Sequence, residues 1–350
     1  MVLSLDRTAM SSLVFIHRFQ RHSGDEKVKG KTPASSYLEP ILDTYRGAAF
    51  ALVGCTSRGM ERYSCEFDVL VVTNESRPPT SLKFGDIYAD VVFASERDVL
   101  KPPGPERAMA VALAKPLRDS ALVLSTASAA CTATFSDSAK AACRTRLTSA
   151  LKTTVRAEDS LSKGATVDAD FWLLAASYEF AYALLLSREV IPSPSHLLAQ
   201  LRAAPKVLPK GFEGVSIGAG LEAAARTACG TRLDALAVLH DLVREGSGSA
   251  TADSEWTDVR SEILRKKAEE LVTRAELAEC YSFLGQELVD DLLAVQKLHP
   301  KRSIGSLASG GDKLLGDRLV KQLGLSRNEK SIRAGLDVLR RQVTLLTKKA

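Results

Sequence analysis

The 350-residue chain contains no C-x-x-C pair, and its six cysteines (55, 65, 131, 143, 229 and 280) form no Cys/His cluster of metal-ligand spacing. Scattered thiols of this kind read as reduced and intracellular rather than as a disulfide framework. No apolar run approaches the roughly 18 residues of a membrane-spanning helix. Asp6, Arg7, His17 and Arg18 interrupt the first twenty residues, so no secretory signal is expected and the reading is cytoplasmic. No internal repeat is visible. Nor is one charge in large excess: 47 Lys+Arg against 42 Asp+Glu leave +5, too little to announce a nucleic-acid binder. With 45% hydrophobic and 25% charged residues, the composition excludes a mainly disordered chain and supplies more than one core.

Charge and pattern divide the chain. Residues 301–350 carry twelve Lys/Arg against four Asp/Glu, a net of +8, which leaves −3 for the rest. Before about residue 126, β-branched runs alternate with turn residues; after it, Ala and Leu dominate at helical spacing. Residues 1–35 read as a short helix (Leu5 to Phe19) and a polar linker. Over 36–125, helix Tyr37–Tyr45 precedes strands at Ala48–Val53, Phe67–Thr73 and Ile87–Ala94, a helix at Glu106–Ala114 and a fourth strand at Ala121–Ser125. Thr126 to Arg146 is a linker or a weakly amphipathic helix. The region 126–300 is otherwise all helical: Phe171–Arg188 with one core face, a short helix from His196, a glycine-rich loop over Gly214–Gly220, then Gly220–Arg244. Ser254–Leu298 as one helix would be about 67 Å long, so a break is expected between Lys266 and Gly285. Ile332, Leu336, Leu339, Val343 and Leu346 mark a closing amphipathic helix. The fold class is therefore α+β, a small mixed sheet followed by an all-α region.

The segment richest in chemistry runs from Gly54 to Asp68. A strand ends in glycine, a polar loop returns to Gly59, and a Glu-x-Asp pair opens the next strand. Glycine at a strand end lets backbone N–H groups approach an anion closely. Residues at i and i+2 of a strand share a face, so Glu66 and Asp68 project together. Side-by-side carboxylates repel unless a cation lies between them, and hard oxygens of this kind suit Mg²⁺. Asp90, inside the apolar run Ala89–Phe93, is costly to bury alone and supplies a third oxygen donor on a neighbouring strand. Asp86, at the strand mouth, is the competing residue and reads as solvated.

These residues resemble the nucleotidyltransferase superfamily of the DNA polymerase β type. Gly54 and Gly59 match its two glycines, Glu66 and Asp68 its carboxylate pair, and Asp90 its third carboxylate; Ala114–Leu124 is similar to the last strand of that domain. The resemblance covers about 90 residues, roughly 36 to 125. It implies a Mg²⁺- or Mn²⁺-dependent enzyme that moves a nucleoside monophosphate from ATP or another NTP to an acceptor hydroxyl and releases pyrophosphate. Glu66, Asp68 and Asp90 would hold the metals, and Gly54, Cys55, Ser57, Arg58 and Gly59 would line the nucleotide. The following helical region looks like the acceptor-binding part of antibiotic-modifying adenylyltransferases. Two residues depart from the family pattern: Cys55 replaces its serine and Glu66 its first aspartate. They motivate the alternative of a non-catalytic nucleotide- or partner-binding protein of the same fold.

Each of the other candidates has a plainer reading beside the functional one. Ser57 and Arg58 serve equally as phosphate contacts or as ordinary loop residues. Glu179 reads as a surface carboxylate before an acceptor base, and His196 as a capping or packing residue. In the basic tail, 319–326 and the Ile332 helix resemble a helix-turn-helix whose Arg327, Lys330 and Arg333 would face phosphates. That ranks behind a solvated or oligomer-forming helical hairpin. The acceptor, whether small molecule, protein or RNA end, is not legible.

Overall fold

The computed structural model describes residues 38–60, 65–75, 77–85, 87–204, 209–247, 258–299, 304 and 317–348. The expected N-terminal helix and linker, and Asp86, lie outside them. A helix, α1 (Glu39–Thr44), leads into a five-stranded mixed sheet: β1 (Ala49–Val53), β2 (Phe67–Val72), β3 (Thr80–Phe84), β4 (Ile87–Ala94) and β5 (Lys115–Arg118). The strand order is β3-β4-β2-β1-β5; β2 and β4 are parallel and the other pairs antiparallel. Between β4 and β5 lie α2 (Glu96–Leu100) and α3 (Pro105–Ala112).

Alternation along the strands splits the sheet between two cores. Phe50, Leu52, Val69, Val71, Ala89 and Val91 pack with Leu38 and Ile41 of α1 on one face. Ala51, Val53, Leu70 and Val72 point the other way, into a core shared with α2, α3 and the helical region. By the same alternation Glu66, Asp68 and Asp90 lie on that second face.

The expected strand at Ala121–Ser125 is instead the start of a helix, α4 (Val123–Ala133), and the fifth strand is Lys115–Arg118. The Asp119 carboxylate accepts the N–H groups of Leu124 at 3.1 Å and Ser125 at 2.7 Å, satisfying donors that a helix start leaves open. Pro116 is tolerated in β5 because that strand is an edge. The other edge strand, β3, has no counterpart in the sequence reading; it is polar and half-exposed, and a tight turn at Gly85 (φ 61°) joins it to β4.

The Thr126–Arg146 stretch resolves into α4 and α5 (Phe135–Ser162), and α6 (Thr166–Leu186) follows. On α5 the buried residues are Ala139, Ala142, Cys143, Leu147, Ala150, Thr154, Ala157 and Leu161. Small side chains at 3–4 spacing give a weak apolar signal, yet they bring the α6 backbone close. Unlike the one-faced helix the spacing predicts, α6 is buried on nearly every side. It is long and apolar enough to cross a membrane, but 83% of its apolar window is covered by the rest of the protein, the position of a core helix.

The remaining helices are α7 (Leu197–Ala203), α8 (Pro209–Gly218), α9 (Arg226–Ser247), α10 (Asp258–Thr273), α11 (Leu277–Leu298), α12 (Asp317–Gln322) and α13 (Glu329–Thr347). The expected glycine-rich loop at Gly214–Gly220 is mostly the end of α8. A Cβ on Gly218 would lie 2.6 Å from Ser177 Cβ and one on Gly214 would lie 3.7 Å from Phe180, so these glycines are the face that packs on α6. The long helical stretch breaks at residues 274–276, where Ala275 adopts φ 58°.

Candidate functional site

The site begins with the register of β2 on β4. Asp68 is the direct partner of Asp90 in the parallel pair, and Val53, at the end of β1, is the partner of Asp68. One oxygen from each of Glu66, Asp68 and Asp90 lies within 4.8 Å of the other two. The three carboxylates therefore meet at one point, as the strand arithmetic requires. Gly54 makes room for them: it has φ 68°, and a Cβ there would lie 1.7 Å from Asp68 Oδ2. Any side chain would both strain the backbone and displace the carboxylate.

The three carboxylates are unequally compensated. Helix α10 crosses this end of the sheet and presents Arg260 and Lys267, two turns apart on one face. Lys267 Nζ contacts Glu66 at 2.5–2.7 Å, and Arg260 Nη1 contacts Asp90 at 3.2 Å while its other arm holds Glu287. Ser81 Oγ donates to Asp90 at 2.6 Å. Burial is the largest single influence and opposes ionisation of Glu66, but the Lys267 charge and hydrogen bond, joined by the Arg260 charge, together outweigh it and hold this carboxyl below its ordinary range. For Asp90 burial wins over the Arg260 charge and its affinity for a proton rises. Asp68 has no hydrogen bond or ion pair among the described residues. Burial, then the charges of Glu66 and Asp90, push it well above the usual carboxylate range. Arg260 divides its charge between Asp90 and Glu287, so the cluster is short of positive charge, and Asp68, with no cation in contact among the described residues, is the carboxyl pushed furthest toward its protonated form.

The β1–β2 connection supplies the rest. Cys55, Ser57 and Gly59 follow Gly54 in a tight helical turn, and Gly59 takes φ 70°. Ser57, read as a phosphate contact, donates its hydroxyl to Gly54 O at 3.1 Å and is buried; it ties the turn rather than facing outward. Arg58 is not solvated. One guanidinium nitrogen makes long contacts to Ile191 O (3.4 Å) and Met60 Sδ (3.5 Å), while Nε and Nη2 are buried with no hydrogen-bond partner among the described residues. Burial lowers its pKa to about 10, against the raising influence of Cys55 and Asp68. An orphaned guanidinium that feels the Asp68 charge is a fit for an anionic group arriving at the cluster.

Other candidates fall elsewhere. Glu179 is not a surface residue: Arg146 reaches it at 3.0 Å and holds Glu106 with its other arm, an ion triad between α3, α5 and α6. Arg327 is turned inward, its Nε–H and backbone N–H donating to the buried Asp170 and its Nη1–H to Ile217 O. Arg333 pairs with Glu329, and Lys330 is exposed.

The sequence offered no metal-ligand spacing among Cys and His, yet the fold assembles such a set. Cys55 Sγ, Cys65 Sγ and His196 Nε2 lie within 4.8 Å of one another, with 3.5 Å between Cys65 and His196. A hydrogen bond from Cys55, then opposing burial and a hydrogen bond from His196, brings the Cys65 thiol down to about 5. In the sequence His196 reads only as a capping or packing residue at a helix start after Pro194 and Ser195. None of the six cysteines is in a disulfide. Arg260 and Lys267 were likewise missed, since nothing local distinguishes them from other cations on a helix.

Comparison with protein-family models and with curated proteins finds no match.

Proposed function

We propose that the sheet and its carboxylate cluster form a divalent-cation-dependent nucleotidyltransferase site that transfers a nucleoside monophosphate from ATP or another NTP to an acceptor hydroxyl. The observation that carries this reading is the unpaired carboxylate of Asp68, held between Glu66 and Asp90 with their oxygens within 4.8 Å. A bound Mg²⁺ or Mn²⁺ would neutralise charge developing on the transferred phosphoryl group. Asp68 and Asp90 would hold it from adjacent strands, and Glu66 would join them on release from Lys267. Gly54 keeps the approach to Asp68 free of a side chain. Arg58 offers its unpaired N–H groups to the phosphates, and Lys267 and Arg260 add positive charge from α10. Catalysis by these residues would be positioning and charge compensation.

Lys267 on Glu66 and Arg260 on Asp90 also favour a second reading: protein cations stand where metal would, and the domain binds a nucleotide or partner without turnover. Pyrophosphate release in Mg²⁺ with each NTP across an acceptor panel, alongside calorimetric titration of Mg²⁺–ATP, separates the two. The enzyme reading expects release by wild type and at least a hundredfold less with Asp68→Asn. Mg²⁺-independent nucleotide binding with no release from either protein establishes the second reading.

A further inference from the structure

A second donor set lies one residue away from the carboxylates and belongs to a different ligand class. Cys55 opens the turn after Gly54, Cys65 immediately precedes Glu66, and His196 ends the short helical turn Pro194–His196. The thiols and the imidazole converge from segments more than 130 positions apart in sequence. In a tetrahedral zinc site, bond lengths of about 2.3 Å to sulfur and 2.0–2.1 Å to nitrogen place ligand atoms roughly 3.5–3.8 Å apart. The 3.5 Å between Cys65 Sγ and His196 Nε2 already has that value. Cys55 and His196 are buried, at 6% and 3% exposure, so the donors are largely shielded from water.

The frame around His196 is fixed without the metal. Gln200 accepts the Ser193 N–H at 2.7 Å and donates to Ile191 O at 2.8 Å, while Gln286 donates to Pro194 O at 3.1 Å. On the other side Ser57 locks the turn that carries Cys55. Ligands held by their supports in this way lose little entropy on binding an ion.

We propose that Cys55, Cys65 and His196 form a binding site for a soft divalent ion of the Zn²⁺ class, separate from the oxygen site of Glu66, Asp68 and Asp90. Two sulfurs and one imidazole select against Mg²⁺, which takes oxygen ligands. Metal binds the thiolate form, so a ligand sulfur that still carries its proton, as Cys55 does, gives it to solvent as the sulfur–metal bond forms, and binding releases protons. Three protein ligands leave one tetrahedral position for water or an exogenous donor. Bound metal would staple the β1–β2 connection to the helical region and would stabilise the folded state by mass action.

The test uses the full chain, reduced and stripped of metal by chelator, with Co²⁺ as the spectroscopic probe. The expected result is one equivalent of Co²⁺ giving thiolate-to-metal charge-transfer absorption, displaced by equimolar Zn²⁺ and untouched by excess Mg²⁺. Cys55→Ser and Cys65→Ser should each at least halve that absorption, and His196→Ala should weaken Zn²⁺ affinity tenfold or more. The double variant Cys229→Ser/Cys280→Ser, which removes a separate pair of thiols that neighbour each other, should keep it. Wild type alone keeps the proposal testable if a variant does not fold: Zn²⁺ should raise its melting temperature, and chelator should reverse the rise. The proposal is overturned by absence of the charge-transfer band, by a band that survives Cys65→Ser and His196→Ala together, or by no thermal response to Zn²⁺. A Cys55–Cys65 disulfide forming in the presence of Zn²⁺ would overturn it as well. None of these readouts depends on nucleotide turnover.

Discussion

Replacing Lys267 with Met removes the ammonium from Glu66, a carboxylate with no other cation in contact among the described residues. Glu66 is 7% exposed and Lys267 is 7% exposed, so the pair is dry on both sides. Methionine has similar bulk, which leaves the charge as the main change. Breaking a buried pair by deleting one partner costs about 3–5 kcal/mol, because the remaining charge is uncompensated. At roughly 2.1 cal/mol/K per residue, 350 residues give an unfolding entropy near ~0.7 kcal/mol/K, so the melting temperature should fall by about 4–7 °C. The pH dependence has a definite sign. In the wild type the Glu66 pKa is held low, so its contribution is present above the unfolded carboxylate value and is lost as pH falls through the folded one. In Lys267→Met burial acts unopposed by the ammonium and raises that pKa, so the variant's deficit should shrink at pH 5 and grow toward pH 8. Adding Glu66→Gln removes the orphaned charge, and the double variant should recover most of the loss. Millimolar Mn²⁺ should also raise the melting temperature of the single variant, since a divalent ion can stand in for the ammonium. Thermal melts of the three proteins at pH 5, 7 and 8 decide the matter. A double variant no more stable than the single one, or a deficit independent of pH, would refute the account of this pair.

Arg58→Met should leave the unfolding free energy from urea titration within about 1 kcal/mol of wild type or slightly above it, because two buried guanidinium nitrogens have no partner among the described residues to lose; nucleotide affinity measured by calorimetry should fall at least tenfold. Gly285→Ala should destabilise despite the roughly 1 kcal/mol that alanine adds in a helix, since its Cβ would lie 2.2 Å from Tyr178 Oη, which donates to Ser282 O; urea titration should show a net loss of about 1–3 kcal/mol. His240 and Asp291 face each other at 3.1 Å, with Ser261 on the other ring nitrogen and Glu287 and Arg260 alongside. Burial opposes charge on His240, yet Asp291 and Glu287 raise its pKa, and burial raises Asp291 to about 6. Both shifts favour the protonated forms in the folded state, so the stability they contribute is present near pH 4 and fades as pH rises through 6 and above. Asp291→Asn should flatten that part of the stability–pH curve by roughly 2–3 kcal/mol.

The two cation sites proposed here differ in donor chemistry, and that difference makes them separately addressable. Oxygen donors gather on the pleats of β2 and β4, sulfur and nitrogen donors on the turns that flank them. Both sets lie where the sheet meets the helical region, so metal at either one would bear on how α10 and the Pro194–His196 turn sit against the strands.

By itself the amino-acid order determined the strands β1, β2 and β4 and the placement of Glu66, Asp68 and Asp90 on one face. Side chains alternate with period two, and buried runs of Val, Leu and Ala leave that period readable. The closing helix and the break near residue 275 were legible for the same kind of reason, since apolar spacing persists or stops. Other features were settled by contacts that no local pattern encodes. Edge strands β3 and β5 bury little, so their sequences look like loops, and Asp119 turned an apolar stretch into a helix by accepting its first N–H groups. The glycines of α8 look like loop residues until Ser177 and Phe180 are seen pressed against them. Only the tertiary structure could set Lys267 on Glu66, Arg260 on Asp90 and His196 beside Cys65. Electrostatic and donor partners are chosen by distance in space, and these lie between 131 and 201 positions apart along the chain.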